Sequence, residues 1–366
     1  MSPNALASYL KETAKLKRTL PSENKKLEKA IQKAFGRVYR AVALDVDGTI
    51  TEPATSNLST EMVLIISRLL QKGIPVILIS GRGRTSLRAA ANQVRRESKI
   101  SDWYLRRLQC VCYNGLIRLY TKTSKPDKFL ELEDFLFNTS SEQQQVLEEY
   151  KAQNEKYIAK FSSKIGYLRI RADVDGLVEL VPRSLVELSE KLSRLSGNES
   201  WFISRSLYEG QFWWTLTPKD KSHALEKIAK RLGLPPSTIL RIGDSGGENG
   251  NDESILNCDS GFSVGSVSEI HDGCLPIFSR SGEHLQGAKG TQWIISTVKI
   301  FPPLSLQAEN PESIEKRIAD LTGFEKLVTA RSRIEAKIID AEIDGKHRSL
   351  LPTGARLRAD GTSLRE

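Results

Sequence analysis

From position 38 onward, short runs of apolar residues alternate with segments in which apolar residues recur every three or four positions. This alternation is typical of a parallel sheet whose strands are joined by crossover helices. The run at 74–79 is apolar throughout and mostly β-branched, as expected for a strand that is covered on both faces. With a first strand at 38–44, the pattern predicts an α/β fold with a Rossmann-like, doubly wound parallel sheet.

The segments between these strands have the spacing of crossover helices. Residues 59–70 place apolar side chains at helical spacing and are followed by Gly73, a residue type that often ends helices. The same reasoning predicts helices over 86–94 and 222–232, and strands over 109–113, 116–120 and 238–242.

Between residues 122 and 215 the pattern changes. It predicts an initial strand, a helix over 141–161, strands over 167–170 and 177–180, a helix over 184–195, and a hairpin turning near 209–210. Two helices on an open antiparallel sheet form a self-contained α+β unit. We therefore expect residues 122–215 to be a small domain inserted between two parts of the core, 38–121 and 216–300.

Two flanking segments lie outside this α/β pattern. Residues 1–37 predict a basic helical arm, and residues 301–346 predict a helical extension with apolar positions at helical spacing. Both are expected either to pack on the core or to pair subunits, so the chain is a monomer or a homo-oligomer. The tail at 347–366 shows no apolar periodicity and is expected to be unstructured.

The net charge of +9 is concentrated at one end of the chain. Residues 1–40 contain ten Lys or Arg and three Glu, whereas residues 301–366 contain eleven charges of each sign. Nucleic-acid binding would therefore have to use the N-terminal arm. The alternative is that the basic residues form a solvated helix face.

Four cysteines are too few to crosslink a chain of 366 residues. Cys110 and Cys112 alternate with neighbours as on one face of a strand, which favours buried thiols over a Cys-x-Cys metal site. Charged residues interrupt the longest apolar stretches, and the chain does not open with a signal-peptide pattern. We expect a cytoplasmic protein with no membrane partner.

Two carboxylates follow the first predicted strand. Asp45 and Asp47 lie two positions apart, so both can project from its carboxyl end, where open α/β sheets bind ligands. Gly48 and Thr49 allow a tight turn that exposes backbone amides to an anion. Taken alone, this motif is also consistent with a polar turn after a strand.

Later features add polar groups at the same edge of the sheet. The second strand ends in Ser80-Gly81-Arg82, which offers a hydroxyl and a flexible backbone to a phosphoryl oxygen. Lys221 begins a helix, where the dipole favours an acid, so a cation there indicates a nearby anion. The remaining candidates lie at or just beyond the end of the third strand: Asp244, Asn251 and Asp252.

Several carboxylates close to a phosphate repel it and one another unless a divalent cation lies between them. Oxygen ligands without His or Cys favour a hard ion, so the sequence predicts Mg²⁺ as the cofactor. In this order and at these positions, the residues resemble the haloacid dehalogenase superfamily of phosphohydrolases over roughly residues 38–298. The predicted insertion resembles the open-sheet C2B cap of its Cof-type, type IIB subgroup.

The resemblance implies a role for each matching residue. Asp45 would be the nucleophile that forms an aspartyl-phosphate, and Asp47 would be the general acid and base. Asp244 would bind Mg²⁺ together with the Asp45 side chain and the Asp47 backbone carbonyl. The phosphate-binding residues would be Ser80, Gly81, Lys221 and Asn251.

The fourth motif departs from the usual Cof-type spacing. Five residues separate Ser245 from Asn251, which resembles phosphomannomutase. Glu248, four residues after Asp244, has the position of an acid in other members of the superfamily. Glu248 and Asp252 are therefore both candidates to bind the metal or to orient the residues that bind it. Ser80-Gly81-Arg82 resembles the phosphatase members, which favours hydrolysis over phosphoryl transfer between sugar positions.

The expected function is Mg²⁺-dependent hydrolysis of a small phosphorylated substrate, such as a sugar phosphate. Two alternatives stay open. The first is a phosphomutase or phosphotransferase of the phosphomannomutase type. The second is a nucleic-acid-associated factor, or a phosphatase of nucleotide ends, that uses the basic arm at 1–37.

Overall fold

The computed structural model describes residues 21–51, 57–122, 128–171, 181–197, 199–208, 211–267, 273–277 and 284–303. The predicted strand at 177–180, the turn at 209–210, the C-terminal extension from residue 304 onward, the tail and the first twenty residues of the arm lie outside these ranges. No helix among the described residues is both long and apolar enough to cross a membrane.

The strands are β1 (Val38–Tyr39), β2 (Ala41–Leu44), β3 (Val76–Ile79), β4 (Leu108–Cys112), β5 (Ile117–Tyr120), β6 (Leu132–Phe135), β7 (Ile158–Ser162), β8 (Tyr167–Arg171), β9 (Phe202–Tyr208), β10 (Gln211–Thr217), β11 (Ile239–Ser245), β12 (Gly261–Ser266), β13 (Leu275–Pro276) and β14 (Lys299–Ile300). The helices are α1 (Pro21–Gly36), α2 (Thr60–Gln71), α3 (Arg84–Ser98), α4 (Asp102–Leu105), α5 (Ser141–Asn154), α6 (Arg183–Leu195), α7 (Lys221–Leu232), α8 (Glu253–Leu256) and α9 (Gly287–Thr297).

The core is an eight-stranded sheet in the order β13-β12-β11-β2-β3-β4-β5-β6. The strands from β13 to β4 in this order pair in parallel, whereas β5 pairs antiparallel with both β4 and β6. Apolar residues of α1, α2, α3 and α9 cover one face, and those of α7 and α8 cover the other. The predicted α/β fold with a doubly wound, mostly parallel sheet is confirmed.

The register of the central strands brings their carboxyl ends together. Leu44 of β2 pairs with Leu78 of β3 on one side and with Ile242 of β11 on the other. The backbone amide of Asp45 donates to the Ile242 carbonyl at 2.9 Å. The polar residues that follow β2, β3 and β11 therefore meet at one edge of the sheet.

A second sheet forms the inserted unit. Its four strands are antiparallel in the order β7-β8-β10-β9. Helices α5 and α6 bury apolar side chains such as Leu147 and Leu188 against one face of this sheet, where they meet Trp214 of β10. The other face is left for the core, because side chains alternate between the two faces of a strand.

Three segments differ from the sequence prediction. Helix α5 ends at Asn154 instead of 161, because Asn154 leaves helical geometry (φ −125°, ψ 18°). A 3-10 turn over Glu155–Tyr157 follows, and β7 begins at Ile158. Strand β6, which the boundary at 122 assigns to the cap, pairs with β5 at the edge of the core sheet. The single strand predicted at 38–44 is two strands, and β1 pairs with β14.

Helix α1, the described part of the basic arm, packs on the core. Ile31 and Ala34 are fully buried. Phe35 makes edge contacts with the rings of Phe262 and Trp293, each with 5.6 Å between centroids. Two arrangements were expected for the arm, packing on the core or pairing of subunits. Helix α1 packs on the core.

Candidate active site

A buried lysine joins two carboxylates below the edge of the core sheet. The Nζ of Lys221 donates to Oδ1 of Asp45 at 2.7 Å and to Oδ1 of Asp252 at 2.6 Å. The exposed fractions of Lys221, Asp45 and Asp252 are only 1%, 2% and 0%. Charges this deeply buried require one another, because an unpaired charge away from water is very costly.

The electrostatics of this group are dominated by its acids. Burial alone would lower the pKa of Lys221, but the carboxylates of Asp252 and Asp45 outweigh burial and raise it. Burial raises the pKa of Asp45 well above its ordinary value, and Asp252 adds to the rise while Lys221 opposes it. One lysine therefore does not neutralise the negative charge of the site.

Both carboxylate oxygens of Asp252 accept hydrogen bonds from other groups of the protein. Its Oδ2 accepts hydrogen bonds from the backbone amides of Asp244 and Ser245, each at 3.1 Å, while its Oδ1 accepts from Lys221. A Cβ on Gly243 would lie 2.6 Å from this Oδ2, so only glycine lets the carboxylate reach these amides. Asp252 thus fixes the end of β11 and orients Lys221.

The acidic group has the composition of a site for a hard cation. Asp45, Asp244 and Asp252 each offer a carboxylate oxygen, and these oxygens lie within 4.8 Å of one another. Burial, with a further contribution from Asp252, raises the pKa of Asp244 to about 7. A divalent cation would relieve this repulsion, and an all-oxygen donor set fits Mg²⁺.

The structure separates the two acids that were candidates to complete the metal site. Glu248 is exposed on the turn after β11 and does not belong to the acidic cluster found among the described residues. Asp252 does belong to that cluster, together with Asp45 and Asp244. Asn251 lines the cavity above the site, and its Oδ1 is buried without a hydrogen-bond partner among the described residues. An orphaned amide oxygen at this place indicates a ligand or a water as its partner.

The side chain of Asp47 is held by Arg82. The Arg82 Nε donates to both Asp47 oxygens, at 3.0 and 2.9 Å, and its Nη2 donates to Oδ1. Ser80 lies beside this pair, with its Oγ 3.4 Å from Oδ2 of Asp47 and accepting from the Arg82 amide at 3.1 Å. The motif after β3 therefore positions Asp47 as well as offering groups to a ligand.

A cavity of about 780 Å³ opens above these residues. The core contributes Asp45, Asp47, Gly81, Asp244 and Asn251, together with one face of α3 from position 85 to 97. The inserted unit contributes Lys160, Arg169 and Ser206. The site thus lies between the two units, as is common for small-molecule sites.

Hydrogen bonds seat the inserted unit on the core at the rim of this cavity. The hydroxyl of Tyr167 on β8 donates to the Gly81 carbonyl at 3.2 Å. The Arg205 amide on β9 donates to the Asn249 carbonyl at 2.7 Å. The Arg205 guanidinium stacks over Phe212, 5.1 Å from its centroid, and Arg205 is not among the residues that line the cavity.

Most of the site residues predicted from the sequence lie close together in the structure, but the sequence prediction gave no role to Arg82 or Asn114. Asn114 has a left-handed backbone (φ 54°), and its buried Oδ1 has no hydrogen-bond partner in the described part of the chain. With Lys221 and Asn251, it lines a smaller cavity of about 270 Å³. The Asn-Gly pair after β4 was a turn signal, but turn chemistry alone does not show which way the amide points.

Substituting Gly48→Ala is expected to weaken Mg²⁺ binding about 10- to 100-fold, the usual cost of disturbing the support of a metal ligand. Gly48 has φ +70°, and a Cβ there would lie 2.9 Å from Cγ of Asp244 and closer still to its Oδ2. Gly233→Ala is the matched control, because Gly233 has φ +64° with nothing within 4 Å. Calorimetric titration with Mg²⁺ compares them, and equal affinity in both variants would contradict the expectation.

A search of curated proteins found no match to the sequence. The chain is similar to a number of solved structures, among them the following three. A haloacid dehalogenase-like hydrolase from Bacteroides thetaiotaomicron is 20% identical and covers 63% of this chain and 89% of its own, with a TM-score of 0.43. IMP-bound, N-terminally truncated IMP-nucleotidase from Plasmodium falciparum is 12% identical over 74% of this chain and 76% of its own, with a TM-score of 0.48.

Trehalose-6-phosphate phosphatase from Aspergillus fumigatus is 16% identical, covering 75% of this chain and 95% of its own, with a TM-score of 0.43. A comparison with protein-family models also found a match, and the matched stretch includes Asp45, Asp47 and Ser80. Residues 42–126 match the family model of haloacid dehalogenase-like hydrolases.

Proposed function

We propose that the protein is a Mg²⁺-dependent phosphatase of small phosphomonoesters that works through an aspartyl-phosphate on Asp45. The observation that carries this proposal is the buried Lys221 joined to Asp45 and Asp252, with Asp244 close by, at the floor of a large cavity. The antiparallel inserted sheet with two helices supports the open-sheet cap subgroup. The family match over 42–126 supports hydrolase chemistry.

The residues present fit a magnesium ion. Asp45 and Asp244 would hold it, since Asp252 already accepts hydrogen bonds from Lys221 and two backbone amides. When bound, Mg²⁺ supplies positive charge that offsets the repulsion between the acids and the phosphoryl oxygens. Lys221 keeps the Asp45 carboxylate oriented, because its Nζ binds Oδ1 at 2.7 Å.

In the first half of the reaction, a carboxylate oxygen of Asp45 attacks phosphorus and the bond from phosphorus to the ester oxygen breaks. Asp47 is the acid that gives its proton to the departing oxygen, so the alcohol leaves neutral. Arg82 fixes the orientation of Asp47 through its Nε and Nη2 contacts.

In the second half, water attacks the phosphorus of the aspartyl-phosphate while Asp47 takes a proton from the water. The bond from phosphorus to the Asp45 oxygen breaks, which returns the carboxylate and releases inorganic phosphate. The cap provides the wall that limits access of bulk water, because Lys160, Arg169 and Ser206 lie across the cavity from Asp45.

The proposal predicts that inorganic phosphate is released from phosphomonoesters with Mg²⁺ and that EDTA abolishes the release. The metal should also raise Tm, because a ligand that binds only the folded state stabilises it, by about 2.7 kcal/mol at 100 times Kd. Phosphate release is measured colorimetrically over a panel of sugar phosphates and nucleotides, and Tm by scanning fluorimetry. Asp244→Asn is the variant that should lose the Tm shift.

The product also separates hydrolysis from phosphoryl transfer. A phosphatase releases phosphate in proportion to substrate consumed, whereas a mutase leaves the phosphate organic and moves it to a second hydroxyl. Phosphorus NMR of the reaction mixture distinguishes the two. Turnover without free phosphate would contradict the phosphatase and support the phosphomutase. Absence of turnover on every ester would contradict both functions.

A further inference from the structure

Two cations lie directly opposite each other on the cap. Lys160 of β7 and Arg169 of β8 are register partners in the antiparallel pair, so their side chains lie on the same face of the sheet. Cross-strand partners have Cβ atoms about 4.5–5.5 Å apart, and like charges in this arrangement are destabilising. Such a pair calls for an anion that offsets its charge.

A β-bulge places Lys160 on this face. Ile158 pairs with Ile170, yet Lys160 pairs with Arg169, so Ala159 is an extra residue in β7. With regular pairing Lys160 would lie opposite Leu168, which is buried in the cluster under α5 and α6. The bulge turns Lys160 to the Arg169 side, and bulges commonly re-aim side chains next to active sites.

This face of the cap looks into the active-site cavity, which both cations line. The cap residues that line the cavity are Lys160, Arg169 and Ser206, with no acid among them in the described part of the chain. Lys160 makes no ion pair with any described residue, and Asp47 across the cavity is held by Arg82. Burial, followed by Arg169 and Arg82, lowers the pKa of Lys160, while Asp47 opposes this shift.

The core already offers its own charges for the transferred phosphoryl group, namely Lys221 and the metal that Asp45 and Asp244 would hold. The cavity also extends well beyond that group, since its α3 wall runs from Thr85 to Glu97, about 18 Å along the helix. A phosphoryl group at Asp45 therefore leaves room for another substituent of the same molecule near the cap.

Resting on the proposed function, we propose that Lys160 and Arg169 bind a second anionic group, a carboxylate or a phosphate, on the substrate. The substrate class is then a phosphomonoester with a further acidic group. Both cations are suited to it, because the Arg guanidinium presents a planar donor fork and the Lys ammonium is a compact charge.

Matched substrates test this. Glycerol 3-phosphate and 3-phosphoglycerate differ by a carboxylate, and fructose 6-phosphate and fructose 1,6-bisphosphate differ by a second phosphate. We expect kcat/KM to be at least about tenfold higher for the more acidic member of one pair, as one charge-assisted hydrogen bond can supply. The pair that shows the preference identifies the second group as carboxylate or phosphate.

Lys160→Met is expected to reduce this preference about tenfold. Lys191→Met is the control, because Lys191 is an exposed cap lysine paired with Glu149 on the helical side. An equal loss of kcat/KM for both members of each pair would mean that Lys160 binds the transferred phosphate. That result would overturn the inference without contradicting the proposed phosphatase function. No preference in the unsubstituted protein would also overturn it.

Binding measured without turnover keeps the inference separate from the phosphatase proposal. The Asp45→Asn protein is titrated calorimetrically with each substrate pair, with and without Lys160→Met. The more acidic member should bind about tenfold tighter only when Lys160 is present. Equal affinities would reject the second-anion site even if phosphate release is observed, and a preference would support it even if release is not.

Discussion

Asp45→Asn is expected to lower kcat/KM for phosphate release by at least about 10³-fold, the scale of loss when a nucleophile that forms a covalent intermediate is removed. An amide is a far weaker nucleophile than a carboxylate and cannot form the aspartyl-phosphate. The fold should persist, because the Asn oxygen can still accept from Lys221, which donates to Oδ1 of Asp45 at 2.7 Å. Initial rates at saturating Mg²⁺ measure the loss.

A covalent intermediate can also be detected directly. Substrate carrying ³²P in its phosphoryl group should label the acid-quenched protein, and hydroxylamine should remove the label, as it does from acyl phosphates. Asp102→Asn is the matched control, since Asp102 forms a half-exposed ion pair with Arg95 away from the site. Activity of the Asp45→Asn protein within tenfold of the original would rule out Asp45 as the nucleophile.

The placement of the candidate catalytic residues at one sheet edge could be predicted from the sequence. In a parallel sheet, apolar runs such as 74–79 have their carboxyl ends at the same edge, so residues directly after them must converge. Asp45 and Ser80 follow this rule, and the register of Leu44 with Leu78 and Ile242 shows why. Lys221 could be predicted because a cation at a helix start is exceptional.

Other parts of the site depend on information that sequence spacing does not contain. Lys160 faces the cavity only because β7 contains a bulge at Ala159, and a shift by one residue reverses the face of a side chain. The sequence predicted a helix at this position, so no register could be assigned. The partner of Asp47 depends on the rotamer of Arg82, which spacing alone does not determine.

The role of Asp252 shows how geometry refines a motif. Its place after a five-residue loop left both Asp252 and Glu248 as candidates to complete the metal site or support it. In the structure Asp252 binds Lys221 and the amides of Asp244 and Ser245, whereas Glu248 is exposed. A long loop can return one acid to the strand end and leave another in solvent, and only tertiary packing decides which.

Lys221→Met is expected to destabilise the metal-free protein by about 3–5 kcal/mol at neutral pH, the cost of removing one partner of a buried ion pair. Methionine fills a similar volume, so the cost comes from Asp45 and Asp252, which would lie buried without a cation. The loss should be far smaller for Lys219→Met, because Lys219 pairs with the exposed Glu199 and surface pairs contribute about 0–1 kcal/mol. Urea unfolding in EDTA measures both.

The penalty should depend on pH in a definite direction. Lys221 opposes the raised pKa of Asp45, so its removal moves that pKa further above the unfolded value of about 3.9. An acid with a raised folded-state pKa binds more protons folded than unfolded, so stability falls as pH rises between the two values. The difference between Lys221→Met and the original protein should therefore be smaller at pH 5 than at pH 8. A penalty equal at both pH values would mean that lost packing, not uncompensated carboxylate charge, causes the destabilisation.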